Sequence, residues 1–323
     1  MGKRFLGKSD LKVSPIGLGC WQFSKGRGIG GKFWGVMEQK DINEVVAESY
    51  KGGVNWFDTA EIYGNGESER ALARSLQNLE IKPGEVLVAS KWMPALRFAS
   101  SIVNTIDMRL RALNPYPINL YQIHSPLSFS SIEDQMRAMA QLVRKKKIGY
   151  IGVSNFSAEL MRQSYDALAA EGFPLVSNQM RFSLLDRSIE KNGVLDVAEA
   201  LGITIIAYSP LAQGLLTGKF HDNPSLIKRS SGLRKFAKGF RKKDLSRTQN
   251  LINVLKKIAA EHDATPAQIA LSWTVNFHGK SIIAIPGATH ARQAKQNAAA
   301  MQIKLTKKEL NSLDESSRAA ISI

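Results

Sequence analysis

A short apolar run followed by a helical pattern recurs eight times along this chain, and that alternation constrains its fold more than any other feature. The runs are SPIGLGC (14–20), GVNWFD (53–58), EVLVAS (85–90), INLYQIH (118–124), GYIGVS (149–154), PLVSNQ (174–179), ITIIAY (203–208) and KSIIAIP (280–286). They are rich in Val and Ile without strict alternation, as expected of strands buried on both faces of a parallel sheet. Between them lie helical segments with their own start signals. Asp41 precedes INEVVAESYKGG, Ser130 with Glu133 and Thr306 with Glu309 read as capping boxes, and Thr265 precedes a proline at the first helical position.

Eight strand–helix units predict an α/β fold, either a (β/α)8 TIM barrel or a doubly wound open sheet. The polar residues decide between them. Asp58, Lys91, His124, Ser154, Gln179 and Tyr208 stand at the C-terminal ends of six different runs. An open sheet would gather its site at one switch point, whereas a barrel draws on every strand. One barrel domain over 1–323 is expected. Residues 4–13 read as a short N-terminal hairpin closing its bottom, and the C-terminal face carries extended loops, above all 209–247.

Composition narrows the class. The 323 residues are 44% hydrophobic, with one cysteine and hence no intrachain disulfide. No signal peptide opens the chain, and no apolar stretch nears the roughly 18 residues of a membrane span. A cytoplasmic protein with no membrane partner is expected. The net charge of +16 suits anionic partners of any kind. Arg144 to Lys147 reads as a solvated helix end. The stretch 228–243 holds eight cations and no acid.

Several motifs fail on inspection. Gly26 to Gly31 fits G-x-G-x-x-G, but the expected helix begins only near Asp41, so it reads as a loop. Gly214 to Lys219 is one residue short of a P-loop, and Phe220 replaces the hydroxyl residue. The histidines show no metal-ligand spacing, and no metal is expected. There is no G-x-S-x-G elbow.

One constellation holds together. If Asp58 ends its strand, Tyr63 lies five residues on in the following loop, while Lys91 and His124 end the next two strands. A free tyrosine titrates near 10 and is a poor acid at neutrality. A buried ammonium beside it is expected to lower that pKa, and Asp58 would keep the ammonium charged. His124 can hydrogen-bond a carbonyl oxygen. Together these groups suit protonation of a forming alkoxide, which is half of a carbonyl reduction. The other half, a hydride, must come from a cofactor.

With these residues in place the chain resembles the aldo-keto reductase superfamily over nearly its whole length. The signature reads Asp58-Thr-Ala-Glu-Ile-Tyr63-Gly64 and then Glu67-Ser68-Glu69, with Lys91 in ASKW and His124 in LYQIHSP. The resemblance implies that Tyr63 is the general acid/base, that Lys91 and Asp58 tune it, and that His124 orients the carbonyl. Ser154, Asn155 and Gln179 look like the residues that bind a nicotinamide carboxamide. Tyr208, Ser209, Pro210, Leu211, Gly214 and Lys219 resemble the segment that stacks on the nicotinamide and follows the pyrophosphate. Ile285, Gly287 and Thr289, with Gln293 and Asn297 downstream, resemble the adenosine-phosphate site.

Many family members carry Lys-Ser after the Ile-Pro, where the lysine meets the 2′-phosphate of NADP. Here Gly287-Ala288 stands there, as in another large branch. NADP is still the expected cofactor, because Arg292, Lys295 and the 228–243 segment supply cations; NAD stays open. The segment after Lys219 matches in position a loop that folds over the cofactor.

The reading is an NADP(H)-dependent reductase of aldehydes or ketones, reversible toward alcohols. The alternative is a cofactor-binding, redox-sensing regulatory subunit of the same fold. Nucleic-acid binding lacks any supporting motif. Trp21 and Trp92, with Trp34, Phe98 and Phe129, are placed as an aromatic wall for the substrate. The short tail after the last strand leaves little chain for a lid, which suggests an open pocket. Substrate identity and oligomeric state are not legible.

Overall fold

The computed structural model of the chain describes residues 2–28, 33–228 and 240–321. Eight strands form one parallel sheet whose spatial order follows the sequence: β3 (Leu18–Gly19), β4 (Trp56–Asp58), β5 (Leu87–Trp92), β6 (Leu120–Ile123), β7 (Tyr150–Ser154), β8 (Leu175–Arg181), β9 (Thr204–Tyr208) and β10 (Ile282–Ala284). β10 returns to the first strand through parallel bridges Ile16–Ala284 and Gly19–Gly287. Gly17 N donates to Ala284 O at 2.8 Å and Ala284 N to Pro15 O at 2.9 Å, so the ladder closes into a barrel. Each predicted run overlaps one of these strands, and β8 runs two residues past its expected end. β5 runs on to Trp92, two residues past the expected end, which puts Lys91 inside the strand.

Two apolar cores explain the non-alternating pattern. The larger lies between the strands and the outer helices and includes Phe57, Trp92, Tyr121 and Trp273. The smaller fills the barrel's lower interior with Trp56, Leu120, Val176 and Ile206. Strands buried on both sides need apolar residues at consecutive positions.

The hairpin β1 (Arg4–Phe5) and β2 (Lys12–Val13) is antiparallel, as expected, and inserts Leu6 and Val13 into the smaller core. Arg4 Nη1 donates to Ile282 O at 2.7 Å, and Gly7 N to Thr204 Oγ1 at 2.7 Å. Burying a leucine this fully contributes about 2–3 kcal/mol. The plug shuts the lower end, so the polar groups higher in the barrel meet water only from the C-terminal face.

Two helix starts differ from expectation. The first outer helix is Gln39–Lys51, so Asp41 lies inside its first turn and does not precede it. Ser131, not Ser130, caps the helix Ile132–Arg144. Ser130 Oγ instead accepts from Ala99 N at 2.9 Å, a tertiary contact that overrides the local motif. The box at Thr306–Glu309 forms as read, and Thr265, expected as a cap before the proline, also makes a capping box with Gln268.

Gly30 and Gly31 of the glycine-rich stretch, and Arg229, Arg234, Lys235 and Lys238 of the basic segment, lie outside the described residues. Among the described residues no helix is long and apolar enough to cross a membrane.

The plug gives a direct test. Gly7 has φ +54°, and a Cβ there would sit 2.3 Å from Val176 O. Gly7→Ala combines a left-handed backbone with a backbone collision and should cost about 2 kcal/mol or more. Urea unfolding measures the loss; an unchanged midpoint would mean the hairpin does not support the barrel.

Candidate active site

Strand alternation aims Asp58 of β4, Lys91 of β5, Gln122 of β6 and Gln179 of β8 into the upper barrel. Lys91 pairs in register with Gln122. Asp58 and Lys91 are fully buried. Asp58 Oδ1 accepts from Lys91 Nζ at 2.5 Å, and Oδ2 accepts from Gln122 Nε2 and Gln179 Nε2, each at 3.0 Å. Both carboxylate oxygens are therefore satisfied out of water, the condition under which a buried charge is tolerable.

The lysine donates next to Thr59 O at 3.0 Å and reaches Tyr63 OH at 3.5 Å. Burial pulls its pKa down, but Asp58 and Tyr63 push the other way and the net shift is upward. Lys91 is an ammonium throughout the neutral range.

Tyr63 departs from expectation. Its pKa is raised, not lowered: burial is the largest effect and outweighs Lys91, and Asp58 adds to the rise. The lysine's field is diluted because its charge is already paired. The phenol is protonated at neutrality.

His124 meets Tyr63 edge-on, with ring centroids 5.7 Å apart and an interplanar angle of 83°. Burial, then Lys91, holds its pKa down to about 3, so the imidazole is neutral. Its Nδ1 is buried with no hydrogen-bond partner. Four titratable groups from three strand–loop units thus meet at the barrel mouth, with the ion pair below and the phenol and imidazole above.

The residues read as cofactor contacts lie on the same face. Ser154 Oγ donates to Gln179 O at 2.9 Å, Asn155 Nδ2 to Ser154 Oγ at 3.0 Å, and Tyr208 OH to Asn155 Oδ1 at 2.9 Å. The Gln179 amide is turned inward on Asp58 and Gln122. Pro210 is buried, while Ser209, Leu211 and Gly214 are half-buried and Lys219 is exposed. Ser209, Ala212, Gln213 and Gly214 all have positive φ. Ile285 is buried beside Gly287, where a Cβ would strike the Gln22 amide. Gln293 Oε1 accepts from Thr289 N at 2.8 Å, and Asn297 Nδ2 reaches Gly287 O at 3.4 Å. Arg292 and Lys295 instead line a shallow outer cavity with Glu44 and Glu48.

Of the expected aromatic wall, Trp21 stacks on Tyr63 at 6.1 Å and on Phe33 at 5.1 Å. Trp92 does not belong to it. It is fully buried in the outer core and donates its indole N–H to Ser101 Oγ at 3.1 Å. Because β5 continues through Trp92, the residue after inward-facing Lys91 must face outward.

Sequence reading missed Gln122 and Phe33. Gln122 was findable: it is a polar residue in an apolar strand, two places before His124 and hence on the same face. Phe33 carries no such signal.

The donor set fits a nicotinamide nucleotide: neutral hydroxyl and amide groups of Ser154 and Asn155 where a carboxamide would lie, the Tyr208 ring beside them, and Lys219 along the adjoining loop.

Residues 15–318 match the model of the aldo/keto reductase family. An uncharacterised oxidoreductase of Mycobacterium tuberculosis is 39% identical over 311 residues, covering 95% of this chain and 90% of that protein. The chloroplastic pyridoxal reductase of Arabidopsis thaliana is 31% identical over 313 residues, covering 93% and 82%. A solved structure of a glycerol dehydrogenase from Gluconobacter oxydans superposes with a TM-score of 0.82 at 27% identity, covering 98% of this chain and 95% of that one. The chain belongs to the aldo/keto reductase family, a family of oxidoreductases that use nicotinamide cofactors.

The helix Glu67–Asn78 starts behind the site. Ser68 Oγ donates to Cys20 O at 2.7 Å, and Thr59 Oγ1 donates to Ser68 Oγ at 2.8 Å. Glu69, fully buried, accepts from Ser90 Oγ at 2.6 Å and lies 2.9 Å from Arg109. Burial outweighs Arg109 and lifts its pKa to about 7. A carboxyl that holds its proton more tightly when folded stabilises the fold below its ordinary pKa near 4.5 and loses that contribution as pH rises through 7. The loss is about 3 kcal/mol at most. Glu69→Gln should flatten stability against pH across this window in denaturant titrations. Equal slopes for both proteins would place Glu69 as an ordinary ionised carboxylate.

Proposed function

We propose that this protein reduces aldehydes or ketones reversibly, with Tyr63 as general acid. The observation that carries the reading is the Tyr63 phenol held within reach of Lys91, itself paired with Asp58, and edge-on to the His124 imidazole. The bound reduced nicotinamide supplies the hydride. Tyr63 gives its phenolic proton to the carbonyl oxygen as negative charge develops there. Lys91, kept cationic by Asp58, stabilises the phenolate left behind. His124, being neutral, donates a ring N–H to the same oxygen and fixes the carbonyl's orientation. In the reverse direction the phenolate takes the alcohol proton. At neutral pH the phenol rests protonated, the form that reduction draws on.

Ser154 and Asn155 bind the carboxamide in this reading, Tyr208 stacks on the ring, and the 209–219 loop with Lys219 follows the pyrophosphate. Gln293 and Asn297 face the adenosine end. NADP is preferred over NAD on the strength of the cations at 228–243. Trp21 lines the substrate pocket. Leu96, Phe98, Leu127 and Phe129, each more than half exposed on the loops after β5 and β6, give the mouth an apolar rim suited to apolar carbonyls.

The test is a panel of aliphatic and aromatic aldehydes, pyridoxal among them, with NADPH and NADH in parallel, and glycerol in the oxidative direction. Wild type should turn over with at least one carbonyl, at higher kcat/KM with NADPH. Tyr63→Phe should lose about 1,000-fold or more, since the proton donor is gone. Wild type that binds NADPH but reduces nothing would favour the redox-sensing subunit.

The reduction rate should also pass without inflection through the ordinary histidine range near 6.5. An inflection there that vanishes in His124→Gln would show that the imidazole is charged in the working enzyme.

A further inference from the structure

Glu61 lies between Asp58 and Tyr63 in the loop after β4, and its side chain turns away from the tetrad. Its backbone N donates to Lys91 O at 3.2 Å. Its carboxylate is almost wholly buried. Oε1 accepts from Met93 N at 2.6 Å and Arg97 Nη1 at 2.5 Å, and Oε2 from Arg109 Nη1 at 3.1 Å. Arg97 stands in the loop after β5. Its guanidinium also donates to Met93 O, Ser101 Oγ and Thr105 Oγ1, so the planar fork is held on every edge. Its own carbonyl accepts from Phe129 N at 3.1 Å and Ser128 Oγ at 2.9 Å, both in the loop after β6 that begins with His124. The Glu61–Arg97 ion pair therefore joins the loop of Tyr63 to the loop after β5, and the Arg97 carbonyl joins that loop in turn to the loop of His124.

We propose that Glu61 and Arg97 are positioning residues that fix the distance between Tyr63 and His124, and that turnover depends on them although neither faces the pocket. The proposal rests on the reductase reading above. Tyr63 and His124 touch only edge-on and share no hydrogen bond, so nothing in their direct contact sets their spacing. Their strands fix the bases of the loops, and the pair fixes the loops themselves. A carboxylate–guanidinium contact with well-aligned donors resists displacement better than apolar packing of the same loops, because small shifts break several charge-assisted bonds at once.

Glu61→Gln keeps the shape and the acceptor for Met93 N but sets a neutral amide against the guanidinium. Arg97→Met keeps an unbranched side chain and loses the fork, including the guanidinium over the Trp92 ring. Arg97→Lys keeps a charge without the fork and serves should Arg97→Met fail to fold. Each single variant should lower kcat by about 10- to 100-fold, the scale of an ångström-sized misplacement. The double variant should lose no more than the worse single one, because the two act as a unit. The dissociation constant for NADPH, read by quenching of protein fluorescence, should stay within about twofold.

A second readout needs no turnover. By NMR of its ring, His124 should stay neutral from pH 5 to 8 in the wild type, and in the variants it should titrate near the ordinary value of about 6.5 as the loops open to water. A raised KM with unchanged kcat, additive losses, or a His124 that titrates alike in all three proteins would overturn the proposal. If the wild type shows no turnover, the reductase reading fails by itself, while the NMR comparison still decides whether the pair holds the loops.

Discussion

The buried contact between Asp58 and Lys91 is the constraint to which the rest of the barrel answers. Taking either charge out of water alone costs several kcal/mol even after relaxation. Together they are tolerable only because every remaining valence is met: two glutamine amides on the carboxylate, a backbone carbonyl on the ammonium. Those partners come from β4, β5, β6 and β8 and from the loop after β4. No single supersecondary unit could assemble them, whereas a closed parallel barrel turns every second residue of each strand toward one axis. The apolar plug at the other end has the matching role. Leu6 and Val13 close the bottom with apolar side chains, and the phenol and the imidazole lie above the fully buried ion pair.

That arrangement also explains why the tyrosine behaves as it does. A lone ammonium 3.5 Å away would draw the phenol toward ionisation. Here the same ammonium is neutralised by Asp58 on its far side, so desolvation prevails and the proton stays on. The histidine follows the same logic with opposite sign: burial beside a cation keeps it uncharged. Two groups that would titrate closer to neutrality in water are both held in their neutral, proton-donating forms chiefly by burial.

Much of this was legible in the sequence, and the failures have identifiable causes. All eight strands stood out because doubly buried strands are nearly continuous apolar runs. The four titratable residues stood out because each follows such a run. Gln122 was passed over although its period-2 relation to His124 places it on the inner face. Trp92 was misplaced because β5 continues through it, and its position directly after an inward lysine then turns it outward. Ser130 resembled a cap until Ala99, 31 residues away, took its hydroxyl. The sign of the Tyr63 shift was misjudged because spacing reveals which charges are near but not how far they cancel. Contacts such as that of Glu61 with Arg97, separated by 36 residues, belong to the closed fold and leave no local pattern.

Backbone strain is distributed unevenly about the same axis. Ten described non-glycine residues have positive φ. Seven of them (Lys25, Asn65, Leu96, Asn155, Ser209, Ala212 and Gln213) lie on loops that leave the C-terminal ends of strands, the face that carries Tyr63 and His124. Each such conformation costs about 1–2 kcal/mol for a residue with a Cβ. Strain of this kind persists only where the surroundings over-determine the backbone. The barrel can support it because its hydrogen-bond ladder is closed and its lower end is plugged, which leaves the loops at its mouth freer to depart from low-energy geometry. Stability and function are thus divided along the barrel axis: apolar packing below, a neutralised ion pair at mid-height, and strained loops around the phenol and imidazole at the top.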